Sequence, residues 1–244
     1  MKPFLVQARA EVLMTLRRGE SLLLALGIPV ILLVFFSLVD VLPTDAAPGE
    51  KRAQFLAPGI LALAVMSSAM VGLAIATAFE RQYGVLKRIG TTPLGRPRLL
   101  AAKISAVMVV ELVQMVVLVV VGMILGWRPT LAGFGGAAVA VVLGTAAFAG
   151  LGLVMAGRMR AEGVLAAANG LYILLLLISG MVFSLSRLPS VLRAVARALP
   201  STALAEVLRG VLNPTVSVRA SAWIVLLAWA IVGPVLAARL FRWE

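Results

Sequence analysis

Long apolar runs alternate with short charged stretches along the whole chain. The runs fall at about 21–42, 57–79, 104–126, 131–157, 163–185 and 219–239. About 20 residues at 1.5 Å each cross a hydrocarbon core of about 30 Å. The pattern therefore predicts six transmembrane helices. In lipid the backbone must satisfy its own hydrogen bonds, and within one segment only a helix does so. The expected fold is an all-α membrane protein, with residues 1–244 forming a single membrane domain without internal repeats.

Three stretches depart from the simple span. Residues 1–20 place Leu5, Val12 and Leu16 near one helical face and Gln7, Glu11 and Arg18 near another. That periodicity predicts an amphipathic helix at the membrane surface. The stretch lacks the cleavage site and short apolar core of a signal peptide. Residues 43–56 carry Pro43, Asp45, Pro48, Gly49, Glu50, Lys51 and Arg52, a polar loop. Residues 187–213 mix apolar positions with Arg187, Arg193, Arg197 and Arg209, and Pro189 and Pro200 break them. Two short re-entrant helices fit better than a crossing. A single crossing there would put the C-terminus on the opposite side.

Small residues mark where helices approach. Gly136, Ala140 and Gly144 recur every four residues, as do Gly152 and Ala156. That spacing lets backbones pack closely in lipid. The turn Gly126-Trp127-Arg128-Pro129 is expected to hold its tryptophan at the membrane interface.

Composition points the same way. Apolar residues make up 62% of the 244 and charged residues 13%, against about 45–50% and about 25% in soluble domains. The net charge is +12. Its basic residues are scattered rather than interleaved with aromatics, so nucleic acid is not the expected partner. With the termini inside, fourteen Lys and Arg fall on the inner side and eight on the other. This favours cytoplasmic termini. The chain has no cysteine and no histidine, which excludes disulfides, Cys/His zinc sites and histidine acid–base chemistry. No P-loop and no nucleophile elbow occurs.

Acids near spans are few. Asp40, Glu80 and Glu162 lie close to span ends, where a solvated or ion-paired position accounts for them. Glu111 differs, because it falls eight residues past Lys103 and inside a span. A buried acid at that depth is costly and faces the bundle or a water path. Gln114 shares its face. A structural hydrogen bond and a role in transport or coupling both remain open.

The stretch 80–103 is the most polar of the chain. Glu80-Arg81-x-x-Gly84-Val85-Leu86-Lys87-Arg88-Ile89 is followed by Thr92-Pro93-Leu94, then Leu99-Leu100 and Lys103. A second pattern joins Leu199-Pro200-Ser201-Thr202 to Glu206-Val207-Leu208-Arg209-Gly210. With these motifs the whole chain resembles the membrane subunits of ABC-2-type transporters, close to bacterial drug exporters of the daunorubicin-resistance type.

The resemblance implies a permease without a nucleotide site of its own. It implies a second permease chain, identical or related, and two P-loop ATPase subunits holding ATP and magnesium. Residues 80–98 would be the coupling segment, with Glu80, Arg81, Gly84, Val85, Leu86, Lys87, Arg88 and Pro93 as its contacts. Residues 187–213 would cap the pathway. Spans one, two and five would line it, with Phe35, Phe36, Ser67, Ser68, Met70, Asn169, Tyr172 and Ser179 as candidates; plain packing also accounts for each of these. The implied setting is a bacterial cytoplasmic membrane, and the implied cargo is drug- or lipid-like. The alternative is a lipid-modifying enzyme, which needs acids gathered at one depth.

Overall fold

The computed structural model describes residues 11–13, 19–39, 51–90, 96–213 and 215–241. All regular structure among them is helical. We label the helices α1 (Gly19–Leu38), α2 (Arg52–Gln82), α3 (Val85–Gly90), α4 (Arg96–Ile124), α5 (Phe134–Arg158), α6 (Ala161–Ile178), α7 (Ser190–Arg197), α8 (Pro200–Leu212) and α9 (Ala220–Leu240). Residues 11–13 are also helical; the rest of the expected interface helix before Gly19 lies outside the described residues.

Among the described residues, five helices are long and apolar enough to cross a membrane: α2, α4, α5, α6 and α9. The first expected span appears as α1, whose shorter apolar stretch is Ala25–Leu38. At 29 residues, α4 is about 43 Å long at 1.5 Å per residue. It therefore overruns a core of about 30 Å.

Helix α2 is the centre of the bundle. Its residues 56–66 are all buried, and α1, α4, α5 and α8 pack on it. Alanine is its commonest residue, so neighbours can close in on it. Its regular winding is interrupted by a π-helical turn at Ser67–Gly72. Gly152 of α5 faces that turn: a Cβ there would stand 2.7 Å from the Met70 carbonyl oxygen.

Helices α5 and α9 make the closest pairing. A Cβ on Gly150 would lie 2.2 Å from the carbonyl carbon of Gly233. Two glycines facing each other bring the backbones into direct contact. Gly157 repeats this one level down, against Phe241.

Several boundaries correct the sequence expectations. The second span begins at Arg52 rather than 57, because the helix takes up the last residues of the expected polar loop. The third begins at Arg96 rather than 104. The fifth stops at Ile178 rather than 185. Residues 179–185 are apolar, yet Gly180 at φ +70° turns the chain out of the helix. Trp127 is not exposed at an interface; it is 1% exposed and packs against Gly122.

Residues 187–213 form the expected broken pair, α7 and α8. They make a helical hairpin packed against α5 and α9. Val211 packs on Gly136 near the start of α5, and Leu204 packs on Gly144, two turns deeper. The hairpin's bend is held by Trp229, whose indole N–H donates to the Ala198 carbonyl at 2.8 Å. Met181 and Arg209, before and near the end of the hairpin, meet at one end of the bundle, and Glu11 and Phe241 lie at the other.

Candidate functional site

Polar side chains gather at three levels of this apolar bundle. The first is the end that holds Glu80. Lys103 is buried at the base of α4. Its Nζ lies 2.5 Å from Glu80 and 3.1 Å from Glu11. Arg81 donates to the Met159 carbonyl, and Gln82 donates to Glu162 at 3.2 Å. Glu162 is exposed in the first turn of α6, where a carboxylate complements the helix dipole.

These bonds divide the expected coupling residues. Glu80 and Arg81 fasten the end of α2 to its neighbours. Gly84 takes φ +72° and turns the chain into α3. Leu86 is fully buried and anchors α3 to the bundle, while Val85 and Lys87 are exposed. Tyr83, also exposed, stacks on Phe79 with centroids 6.1 Å apart. The exposed side chains where α2 turns into α3 thus include Tyr83, Val85 and Lys87. The side chain of Arg88 and all of Pro93 lie outside the described residues.

The second level is the middle of the bundle. Ser68 donates to Gln114 Oε1 at 2.9 Å, and Gln114 Nε2 donates to the Ala25 carbonyl at 2.8 Å. One amide thereby links α1, α2 and α4 beside the π-helical turn. One turn of α4 earlier, Thr145 Oγ1 donates to Glu111 Oε2 at 2.5 Å. Thr145 also reaches the Val141 carbonyl.

The third level is the opposite end. Arg209 of α8 donates to the Phe55 carbonyl at 3.2 Å and to the Met181 carbonyl at 2.6 Å. Its guanidinium also lies 4.0 Å over the Phe55 ring. Arg219 pairs with Glu206. Arg128 and Gln54 exchange backbone and side-chain hydrogen bonds. The second sequence motif is therefore a clamp that holds the hairpin to α2 and to the turn after α6.

The expected pathway residues are not brought together. Ser68 and Met70 are buried within the bundle, and Ser67 is half-buried beside them. Ser179 is buried and accepts from the Met181 N–H at 3.3 Å, which closes the end of α6. Asn169 is exposed on α6 and donates to the Leu165 carbonyl of its own helix. Tyr172 is half-buried. Phe35 and Phe36 meet edge to face at 5.3 Å, with Phe35 exposed. Reasoning from sequence missed Thr145, Tyr83 and the role of Lys103. Only the last had a signal, a lone lysine opening an apolar run.

Among the described residues, acids stand at all three levels and are not gathered at one depth. Glu11 and Glu80 share a lysine, Glu111 sits at mid-bundle, and Glu206 pairs at the far end. A bundle with five helices long and apolar enough to cross a membrane among the described residues is a polytopic membrane protein. The family model of the ABC-2 type transporter matches residues 3–213, and the chain belongs to that family. No curated protein matches the chain significantly. It is a membrane permease, a transport component.

Proposed function

We propose that this chain is half of an ATP-driven exporter in a bacterial cytoplasmic membrane. It would cross six times with both termini in the cytoplasm. Two copies, or one copy and a related chain, would enclose the pathway. Two P-loop ATPase subunits would bind ATP and magnesium and dock against α3. The cargo would be a hydrophobic or amphiphilic molecule.

One observation carries this reading. Helix α2 runs unbroken in chain from Arg52 to Gln82. One end carries the exposed side chains of Tyr83, Val85 and Lys87. The other end is held by Arg209 of the hairpin. A push on α3 has a stiff central rod to travel along, and the rod ends on the hairpin. Rigid elements that shift between packed arrangements are the usual carriers of such motion. The π-helical turn at Ser67–Gly72 is the place where the rod can change its winding.

The test is purification of the tagged chain from native membranes in mild detergent, followed by mass spectrometry and an ATPase assay. A stoichiometric P-loop ATPase is expected. Val85→Asp and Lys87→Glu should lose it while the chain stays monodisperse, because both side chains project outward. A chain that purifies alone, or keeps its ATPase in both variants, would overturn the reading.

A further inference from the structure

A lateral groove of about 580 Å³ runs between α4 and α5, closed at one end by α8. Its walls include Leu112, Val116 and Val120 from α4 and Val142 from α5, all markedly exposed on the outer surface. Opposite the bulky α4 residues stand Ala137 and Ala138, and their small size leaves the space. Every other lining residue is apolar except Glu111.

Glu111 is 1% exposed. Its Oε2 is taken by Thr145 at 2.5 Å. Its Oε1 is buried with no hydrogen-bond partner among the described residues. A buried carboxyl oxygen without a partner is expensive. Lipid tails, which are as apolar as the groove walls, offer it nothing.

We propose that this groove binds a lipophilic amine, with the ammonium donating to Glu111 Oε1 and the hydrocarbon body lying along the groove. The ammonium supplies what Oε1 lacks, an N–H donor, and its charge favours the ionised carboxyl. A groove of this volume suits a drug-sized molecule. Both groups give up solvation on pairing, and a close N–H···O bond in the apolar groove has to offset that loss. The binding requires neither ATP nor a partner ATPase. It therefore stands or falls separately from the exporter reading.

The experiment uses the full chain in lipid nanodiscs. Diazirine-tagged dodecylamine is cross-linked to it, with diazirine-tagged dodecanol as the neutral match, and labelled peptides are mapped by mass spectrometry. The amine should label α4 and α5 within 108–120 and 137–142. Glu111→Gln keeps the shape and a bond to Thr145, and should cut amine labelling roughly tenfold or more, as expected for losing one charge-assisted hydrogen bond. Alcohol labelling should be weak and the same in both. Should Glu111→Gln fail to fold, Val142→Trp fills the groove from its exposed rim and should abolish amine labelling. Ile173→Trp, on the exposed face of α6, should leave it unchanged. Equal labelling by amine and alcohol would mean that ordinary lipid fills the groove and would overturn the proposal. So would amine labelling that survives both Glu111→Gln and Val142→Trp. Absent labelling with Val116→Cys chains cross-linking to each other would overturn it in favour of a second copy.

Discussion

Lys103 Nζ lies 2.5 Å from a carboxylate oxygen of Glu80, with the lysine side chain only 3% exposed. Glu11 completes the arrangement from the N-terminal segment. Three charges at the foot of α4 thus join residues 11, 80 and 103. Breaking a buried pair strands a charge, at a cost of about 3 kcal/mol or more. Lys103→Met should lower the thermal unfolding temperature in detergent substantially. Adding Glu80→Gln and Glu11→Gln should recover part of the loss. A lone Lys103→Met as stable as the parent would show that the triad contributes no stability.

Gly150 and Gly233 leave no room for a side chain between α5 and α9. Gly150→Ala should destabilise by roughly 2 kcal/mol through overpacking. A methyl group added at Gly170 of α6 would meet nothing within 4 Å. Gly170→Ala should be neutral or slightly stabilising, since alanine suits a helix interior better. Thermal unfolding of the two variants side by side is the measurement. Equal behaviour would mean that the helix pair spreads at little cost.

Arg209 holds two carbonyls and one ring at once. Arg209→Lys keeps the charge and loses the forked geometry. The end of α8 should loosen from α2 and from the turn after α6. Because the sequence has no cysteine, Leu212→Cys, at a position only 1% exposed, gives a clean probe. Its reaction rate with a membrane-permeant maleimide should rise several-fold in the Arg209→Lys background. An unchanged rate would show that Arg209 does not restrain the end of α8.

Gln114 joins three helices through Ser68 and the Ala25 carbonyl. Gln114→Leu preserves bulk but removes both bonds, each worth about 1 kcal/mol. In a complex reconstituted with the proposed ATPase partner, substrate transport should fall more than ATP hydrolysis does. Parallel losses in both would point to a packing defect rather than a broken link.

The apolar runs told the order of the helices, and the prolines and arginines of 187–213 told that this stretch breaks into two short helices. They did so because lipid leaves the backbone so few choices. Where a helix ends inside apolar sequence, hydropathy is silent. Residues 179–185 look like more of the fifth span, and only the positive φ of Gly180 takes them out of it. Cross-helix partners were equally hidden. Glu111 was conspicuous by its depth, but Thr145 is 34 residues away, and its pairing depends on how two helices are rotated against each other. The polar stretch 80–103 was visible as a motif. Which of its residues face inward was not, because Glu80 meets Lys103 and Glu11 only after the bundle closes. The pathway candidates were chosen by residue type on three spans, and type carries no information about which face a residue occupies.

Trp229 bonds to the carbonyl at the hairpin's bend and has no other indole within two turns except Trp223. Indole emission depends on what its N–H touches. The protein therefore carries its own optical gauge: with the other tryptophans changed to phenylalanine, the colour of the remaining one would report, in real time and without a label, whether the hairpin is seated or displaced.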